Sequence, residues 1–126
     1  MKKIINTSKA PQAIGTYSQA VLSDKTLYLS GQIGLDPKTM QLVSTEFEYQ
    51  AEQMFKNMEQ VVIEAGGKMS DIVKVNLYLL EMKNFDIINE VMSKYFSEPY
   101  PARAAVAVSG LPKGALVEME AIAVLS

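Results

Sequence analysis

The fold of this chain is decided by residues 101–125, PARAAVAVSGLPKGALVEMEAIAVL. Two near-continuous apolar segments, residues 102–108 and 117–125, flank a connection rich in glycine and proline, which is typical of buried β-strands. Successive residues of a strand point to opposite faces of a sheet, and both faces of these two segments are mainly apolar. A sheet that contains them must therefore be covered on both sides.

Two segments have the periodicity of amphipathic helices. Apolar residues recur at three- and four-residue steps across residues 51–65 and again across residues 85–96. Gly66 predicts a left-handed C-cap that ends the first helix. Thr45 and Glu48 have the spacing of a capping box at its start.

The other apolar segments predict strands at residues 3–6, 18–23, 27–32 and 73–79. The element order is then β-β-β-α-β-α-β-β, within a single domain that spans residues 1–126. Each helix links two strands that can pair as parallel neighbours, which puts both helices on one face of a mixed sheet. This α+β arrangement leaves the opposite face uncovered, and we expect a second copy of the chain to cover it in a homo-oligomer.

The composition limits the possible functions. Of 126 residues, 48% are hydrophobic and 21% charged, with a net charge of −2, so a globular protein is expected and general nucleic-acid binding is not. The chain contains no histidine and no cysteine, which excludes thiolate nucleophiles, histidine-dependent triads and metal sites built from these residues. No secretory signal or membrane-spanning segment is evident, so a cytoplasmic location is expected.

Arg103 is the side chain with the most unusual setting. It begins an otherwise apolar strand, where a charge is costly unless it has a partner. A guanidinium can bind a carboxylate through two parallel hydrogen bonds, which makes Arg103 a candidate for binding an organic acid. The alternatives are a strand-end arginine that reaches solvent, or a structural salt bridge.

Glu118 and Glu120 lie two residues apart in the last strand, and therefore on one face of it. A carboxylate in apolar surroundings can have a raised pKa or can orient a water molecule as a general base. A solvated strand face, or pairing with a lysine, is the alternative.

Three residues outside the last two strands are further candidates. Tyr17 lies in a glycine-containing loop that could close over a pocket, although a packed aromatic side chain is the alternative. Ser30 and Gly31 lie near the end of a strand, where a glycine allows a ligand to approach the backbone closely. A β-bulge explains the glycine equally well.

These segments resemble the RidA/YjgF family. The resemblance is carried by residues 101–113 with 117–123, and by residues 10–20, 30–34 and 71–74, so it covers essentially the whole chain. It implies a chorismate-mutase-like fold and a homotrimer with ligand sites in the clefts between subunits, without cofactor or metal. The implied reaction is hydrolysis of reactive enamine and imine acids, namely 2-aminoacrylate with its tautomer 2-iminopropanoate, and 2-iminobutanoate, to 2-oxo acids and ammonia.

The resemblance also implies roles for individual residues. Arg103 would bind the substrate carboxylate, Glu118 would orient or activate the attacking water, and Tyr17 would contribute its hydroxyl group. The pocket wall would be formed by Ser30, Gly31, Asn89 and the backbone of Ala105. Many members have a cysteine at the position of Ala105, so this chain would use only the backbone there.

Two other functions are compatible with the same residues. A non-catalytic trimer that binds a small carboxylate metabolite would need Arg103 but not a water-activating Glu118. Chorismate mutase activity rests on fold analogy alone, and a single arginine is too few for a dicarboxylate substrate.

Overall fold

The computed structural model describes residues 2–126, whose strands form one six-stranded mixed sheet. The strands are β1 (Lys2–Ile5), β2 (Ala20–Ser23), β3 (Thr26–Gln32), β4 (Ile72–Leu79), β5 (Ala102–Ala107) and β6 (Val117–Val124). The helices are α1 (Phe47–Glu64), between β3 and β4, and α2 (Phe85–Met92), between β4 and β5. The predicted order of elements is confirmed.

The order of strands across the sheet is β1-β2-β3-β6-β4-β5. The strands on either side of α2, β4 and β5, are parallel neighbours as predicted. For α1 the flanking strands β3 and β4 run parallel, as predicted, but they are not neighbours, because β6 lies between them and is antiparallel to both. Strand β6, in which every second residue from Val117 to Ala123 is buried, thus lies inside the sheet between two long partners.

The end of α1 is confirmed in detail, and its start is not. Gly66 has a φ of +91°, and the N–H groups of Gly66 and Gly67 donate to the carbonyls of Ile63 (2.9 Å) and Val62 (3.0 Å). This is a Schellman motif, which satisfies carbonyls that the helix leaves free. The predicted capping box is wrong, since the N-cap residue is Glu46 and no side chain caps the first turn.

The second helix is shorter than its apolar stripe. It ends at Met92, and the chain continues in turns through Tyr95 and Phe96. The rings of these two residues still pack on Phe55 of α1, with centroid distances of 5.2 and 6.2 Å. The last apolar residues of the stripe therefore pack on α1 although the helix ends before them.

The two faces of the sheet differ in burial. On the face that packs on the helices, Leu27, Val75, Leu77 and Met119 are fully buried. On the opposite face, Tyr28, Val106 and Val124 are each about half exposed, with values of 51%, 47% and 46%. These three exposed side chains lie on three different strands of the face that the helices do not cover. None of the helices in residues 2–126 is long and apolar enough to cross a bilayer.

Candidate active site

Arg103 lies on the helix-facing side of β5, opposite Val75 of β4. Its Nη1 donates to Asn89 Oδ1 at 2.6 Å and lies 3.6 Å from Met92 Sδ. The ring of Phe85 lies beneath the guanidinium, with 5.1 Å between Cζ and the ring centroid. The salt bridges in the described part of the chain join Lys83 to Glu81 and Lys94 to Glu52, so none involves Arg103. Of the alternatives for Arg103, a structural salt bridge is thereby excluded within residues 2–126.

A cavity of about 480 Å³ opens beside this guanidinium. It is lined by Asn89, Met92, Ser93, Tyr100, Pro101 and Arg103. The charge of Arg103 therefore faces a space that a small anion can enter, and the residues nearest to it are neutral.

Glu118 lies on the opposite face of the sheet. It pairs with Tyr78 of β4, is half-buried, and packs its carboxylate against the backbone of Gly31. Burial, followed by the negative charge of Glu120, raises the pKa of Glu118 above its usual value. No hydrogen bond to the Glu118 carboxylate is formed among residues 2–126, so it is free to accept a proton from a bound water.

Glu120 is held differently, although it shares the same strand face. Its Oε2 accepts hydrogen bonds from Asn76 Nδ2 (3.1 Å) and from the Tyr78 hydroxyl (2.9 Å). The hydrogen bond to Glu120 raises the pKa of Tyr78. The two carboxylates are therefore not equivalent, although both line a second cavity, since Glu120 is held by two side chains of β4 and Glu118 by none.

That second cavity has a volume of about 700 Å³. Tyr17, Ser30, Gly31 and Glu118 all line it, together with apolar residues that include Ile14. The Tyr17 ring is 55% exposed, and its hydroxyl accepts a long hydrogen bond from the Ile14 N–H at 3.4 Å. Ser30 Oγ donates to the carbonyl of Ser18, which fixes the end of β3 to the Tyr17 loop.

The wall of the second cavity depends on a buried amide that sequence reasoning missed. Gln19 is 2% exposed, and its side chain accepts from the Thr7 N–H (2.7 Å) and donates to the carbonyls of Thr7 (3.0 Å) and Pro11 (2.8 Å). These bonds hold the N-terminal loop against β2. Nothing in the local pattern distinguishes this glutamine from an exposed one.

Asn57 has a similar role and was also missed. It is buried in α1 and donates to the carbonyls of Ile33 (3.1 Å) and Leu35 (2.9 Å), which fixes the loop after β3. A signal was available here, because Asn57 lies on the apolar stripe of the helix. An amide on such a stripe must find partners, and a loop backbone is the usual source of them.

Within one chain the predicted site residues form two groups. Arg103 and Asn89 line the first cavity, while Tyr17, Ser30, Gly31 and Glu118 line the second. Ala105 lines neither of these cavities; it is half-buried, next to Leu77, on the same face as Arg103. The strand β4 lies between Arg103 and Glu118, which pair with positions 75 and 78 of β4. Two strand spacings across the sheet and three residues along it put their backbones roughly 14 Å apart, with the side chains on opposite faces.

No group of three or more acidic side chains that could hold a metal ion occurs within residues 2–126. The polar groups that face the cavities are a guanidinium, carboxylates, amides, hydroxyls and one lysine, Lys113. These groups can bind an anion, orient a water molecule and transfer a proton.

Gly31 offers a direct test of the position of Glu118. An added Cβ would overlap Glu118 Oε2, so in Gly31→Ala the carboxylate must move while the backbone stays in place. For Glu118 as the water-activating carboxylate that the resemblance implies, we expect turnover to fall by about 10- to 100-fold, since small displacements of such a group have effects of this size. Thermal unfolding should change little. Gly110→Ala, where a Cβ meets open space, is the matched control, and equal rates for the two variants would contradict the assignment.

Comparison with known proteins agrees with this architecture. The family model described as Endoribonuclease L-PSP matches residues 7–125. A protein of Dermatophagoides farinae named 2-iminobutanoate/2-iminopropanoate deaminase is 49% identical over 98% of this chain and 97% of its own length. The human protein of the same name is 46% identical, over 98% of this chain and 90% of its own.

Solved structures extend the comparison to the fold. The crystal structure of RidA from an Antarctic Psychrobacter has a TM-score of 0.95 and 50% identity, over 98% of this chain and 99% of that one. The crystal structure of E. coli TdcF with bound serine has a TM-score of 0.93 and 38% identity, with the same coverage. On its sequence and on its fold, the chain belongs to the RidA/YjgF family.

Proposed function

We propose that this chain hydrolyses small 2-imino acids to 2-oxo acids and ammonia, at sites to which Arg103 and Glu118 come from different copies of the chain. The observation that carries the proposal is the pair of unpartnered charges. Arg103 faces one cavity without a carboxylate partner among residues 2–126, and Glu118, with a raised pKa, faces another. The names of the relatives at 46–49% identity give the reaction.

The chemistry needs few groups. Arg103 binds the substrate carboxylate and places the electrophilic carbon of the iminium group. Glu118 takes a proton from a water molecule as the water oxygen attacks that carbon, which gives a carbinolamine. The proton then passes from Glu118 to the nitrogen. As the C–N bond breaks, Glu118 takes the hydroxyl proton of the carbinolamine, whose oxygen becomes the carbonyl oxygen of the 2-oxo acid. The released ammonia takes this proton from Glu118 and leaves as ammonium, which restores the carboxylate. A raised pKa suits a carboxyl group that both accepts and returns a proton.

A small substrate cannot reach both residues within one chain. A four-carbon imino acid is shorter than the separation between Arg103 and Glu118, and the sheet lies between them. Within residues 2–126, β5 is an edge strand of the sheet, so its outer side pairs with no other strand. Most of its residues are exposed. Packing this edge against the second cavity of another copy brings Arg103 to Glu118 and covers the open sheet face.

A cyclic homotrimer satisfies these requirements with three equivalent sites. Each chain presents one β5 edge and one second cavity, which are different surfaces, so the contact is head-to-tail, a type that forms a ring when the rotation between copies closes. The apolar side chains of the open face, Tyr28, Val106 and Val124, would then be removed from water. The serine in E. coli TdcF supports a ligand of amino-acid size for such a site.

The test uses substrate that is generated in situ. A pyridoxal-phosphate-dependent dehydratase supplies 2-aminoacrylate from serine, and its decay is followed with and without this protein. We expect faster decay, with pyruvate and ammonia formed in equal amounts. Decay at the spontaneous rate would overturn the proposal in favour of a non-catalytic protein that binds small carboxylates.

A further inference from the structure

The contacts of Arg103 leave one edge of its guanidinium free. Both close polar contacts, to Asn89 Oδ1 at 2.6 Å and to Met92 Sδ at 3.6 Å, are made by Nη1. An arginine has five N–H groups in a planar fork, two of them on Nη1. The Nε and Nη2 groups, which lie side by side, have no hydrogen-bond partner within residues 2–126.

We propose that Asn89 and Phe85 of α2 are positioning residues, which hold the Nε–Nη2 edge of Arg103 toward the substrate carboxylate. The inference rests on the role proposed above for Arg103. The Nε–Nη2 edge offers two parallel N–H groups, which is the geometry that a carboxylate accepts in a bidentate pair. Asn89 occupies the opposite end of the fork, and the Phe85 ring lies under its plane.

The side chains that hold the Arg103 guanidinium are all neutral, and this has a functional consequence. An amide oxygen, a thioether and an aromatic face orient the guanidinium, and none of them cancels its charge. A carboxylate in the place of Asn89 would orient the fork equally well but would neutralise it. The orientation of the Arg103 guanidinium and its free positive charge can therefore be separated. A single substitution can keep the orientation and remove the free charge.

Asn89→Asp makes that comparison. Aspartate has the same shape and keeps an acceptor oxygen at the same place, so a merely structural role predicts an unchanged or firmer contact and wild-type kinetics. The proposal predicts instead that KM for the imino acid rises by about tenfold or more, because an internal ion pair competes with the substrate. kcat should change much less.

The matched control is Asn84→Asp, which adds the same charge to the same helix at its N-cap, where no side-chain capping bond exists. Its KM should equal that of the wild type. Phe85→Leu should raise KM severalfold by removing the aromatic face, and Phe85→Tyr should restore it. Rescue by tyrosine but not by leucine separates a cation–π contact from simple packing.

A binding measurement tests this inference independently of the proposed reaction. Binding of 2-oxobutanoate, measured by calorimetry, needs only the carboxylate contact. If the wild type binds it without hydrolysing imines, and Asn89→Asp weakens that binding, the proposed reaction fails and the inference stands. Wild-type KM and wild-type affinity in Asn89→Asp would overturn the inference, whatever the reaction.

Discussion

Arg103→Ala is expected to lower kcat/KM for 2-iminobutanoate by about 100- to 1,000-fold, because two charge-assisted hydrogen bonds to the carboxylate are lost. Arg103 is the only arginine in the chain, so no second guanidinium can replace it. Steady-state kinetics with imino acid generated in situ measures the effect. The fold should be retained, since Arg103 is exposed and forms no salt bridge within residues 2–126.

Arg103→Lys refines this expectation. Lysine keeps the positive charge but presents a point charge in place of a planar fork, so a loss intermediate between the wild type and Arg103→Ala is expected. Lys25→Ala, which removes a cation from the exposed turn between β2 and β3, is the control and should keep wild-type activity. Equal activity of Arg103→Ala and the wild type would rule out Arg103 as the carboxylate anchor.

Glu118→Gln is expected to lower kcat by about 100- to 10,000-fold, the usual range for loss of a general base. Glutamine preserves the size of the side chain, so packing against Gly31 should persist. The wild-type rate should fall as the pH drops through the raised pKa of Glu118, because the base must be ionised. This acidic limb should be absent from the residual activity of Glu118→Gln.

A substitution of Glu120 tests why the pKa of Glu118 is raised and the rate falls at acidic pH. The negative charge of Glu120 contributes to the raised pKa of Glu118, so Glu120→Gln should lower this pKa and move the limb to lower pH. The effect on the plateau rate should be small compared with that of Glu118→Gln. A pH profile that is identical in Glu120→Gln and the wild type would show that burial alone sets the pKa of Glu118.

The elements of the fold were predictable because each has a local signal. Short apolar segments identified the strands, three- and four-residue periodicity identified the helices, and Gly66 marked the end of α1. The order of strands was not predictable, because the insertion of β6 between β3 and β4 depends on pairing between residues that are 38 to 51 positions apart in sequence. The end of α2 was misjudged since Tyr95 and Phe96 bury their rings from a turn as well as from a helix.

The residues of the candidate site could be proposed from the sequence, whereas their arrangement could not. Arg103 was conspicuous as a charge in an apolar strand, and the resemblance to a family pointed to Glu118. Which of Glu118 and Glu120 is free follows from the hydrogen bonds of Asn76 and Tyr78 to Glu120, and these depend on strand register. That Arg103 and Glu118 lie on opposite faces follows from register as well, and no short-range pattern contains that information.

Complementation between two inactive variants tests the central claim most directly. Arg103→Ala and Glu118→Gln chains, carrying different affinity tags, are co-expressed, and oligomers that contain both are purified through the two tags in turn. In a cyclic trimer of mixed chains, one of the three sites receives an intact Arg103 and an intact Glu118, so about one third of the wild-type activity is expected. Mixed oligomers as inactive as either variant alone would contradict a site shared between copies of the chain.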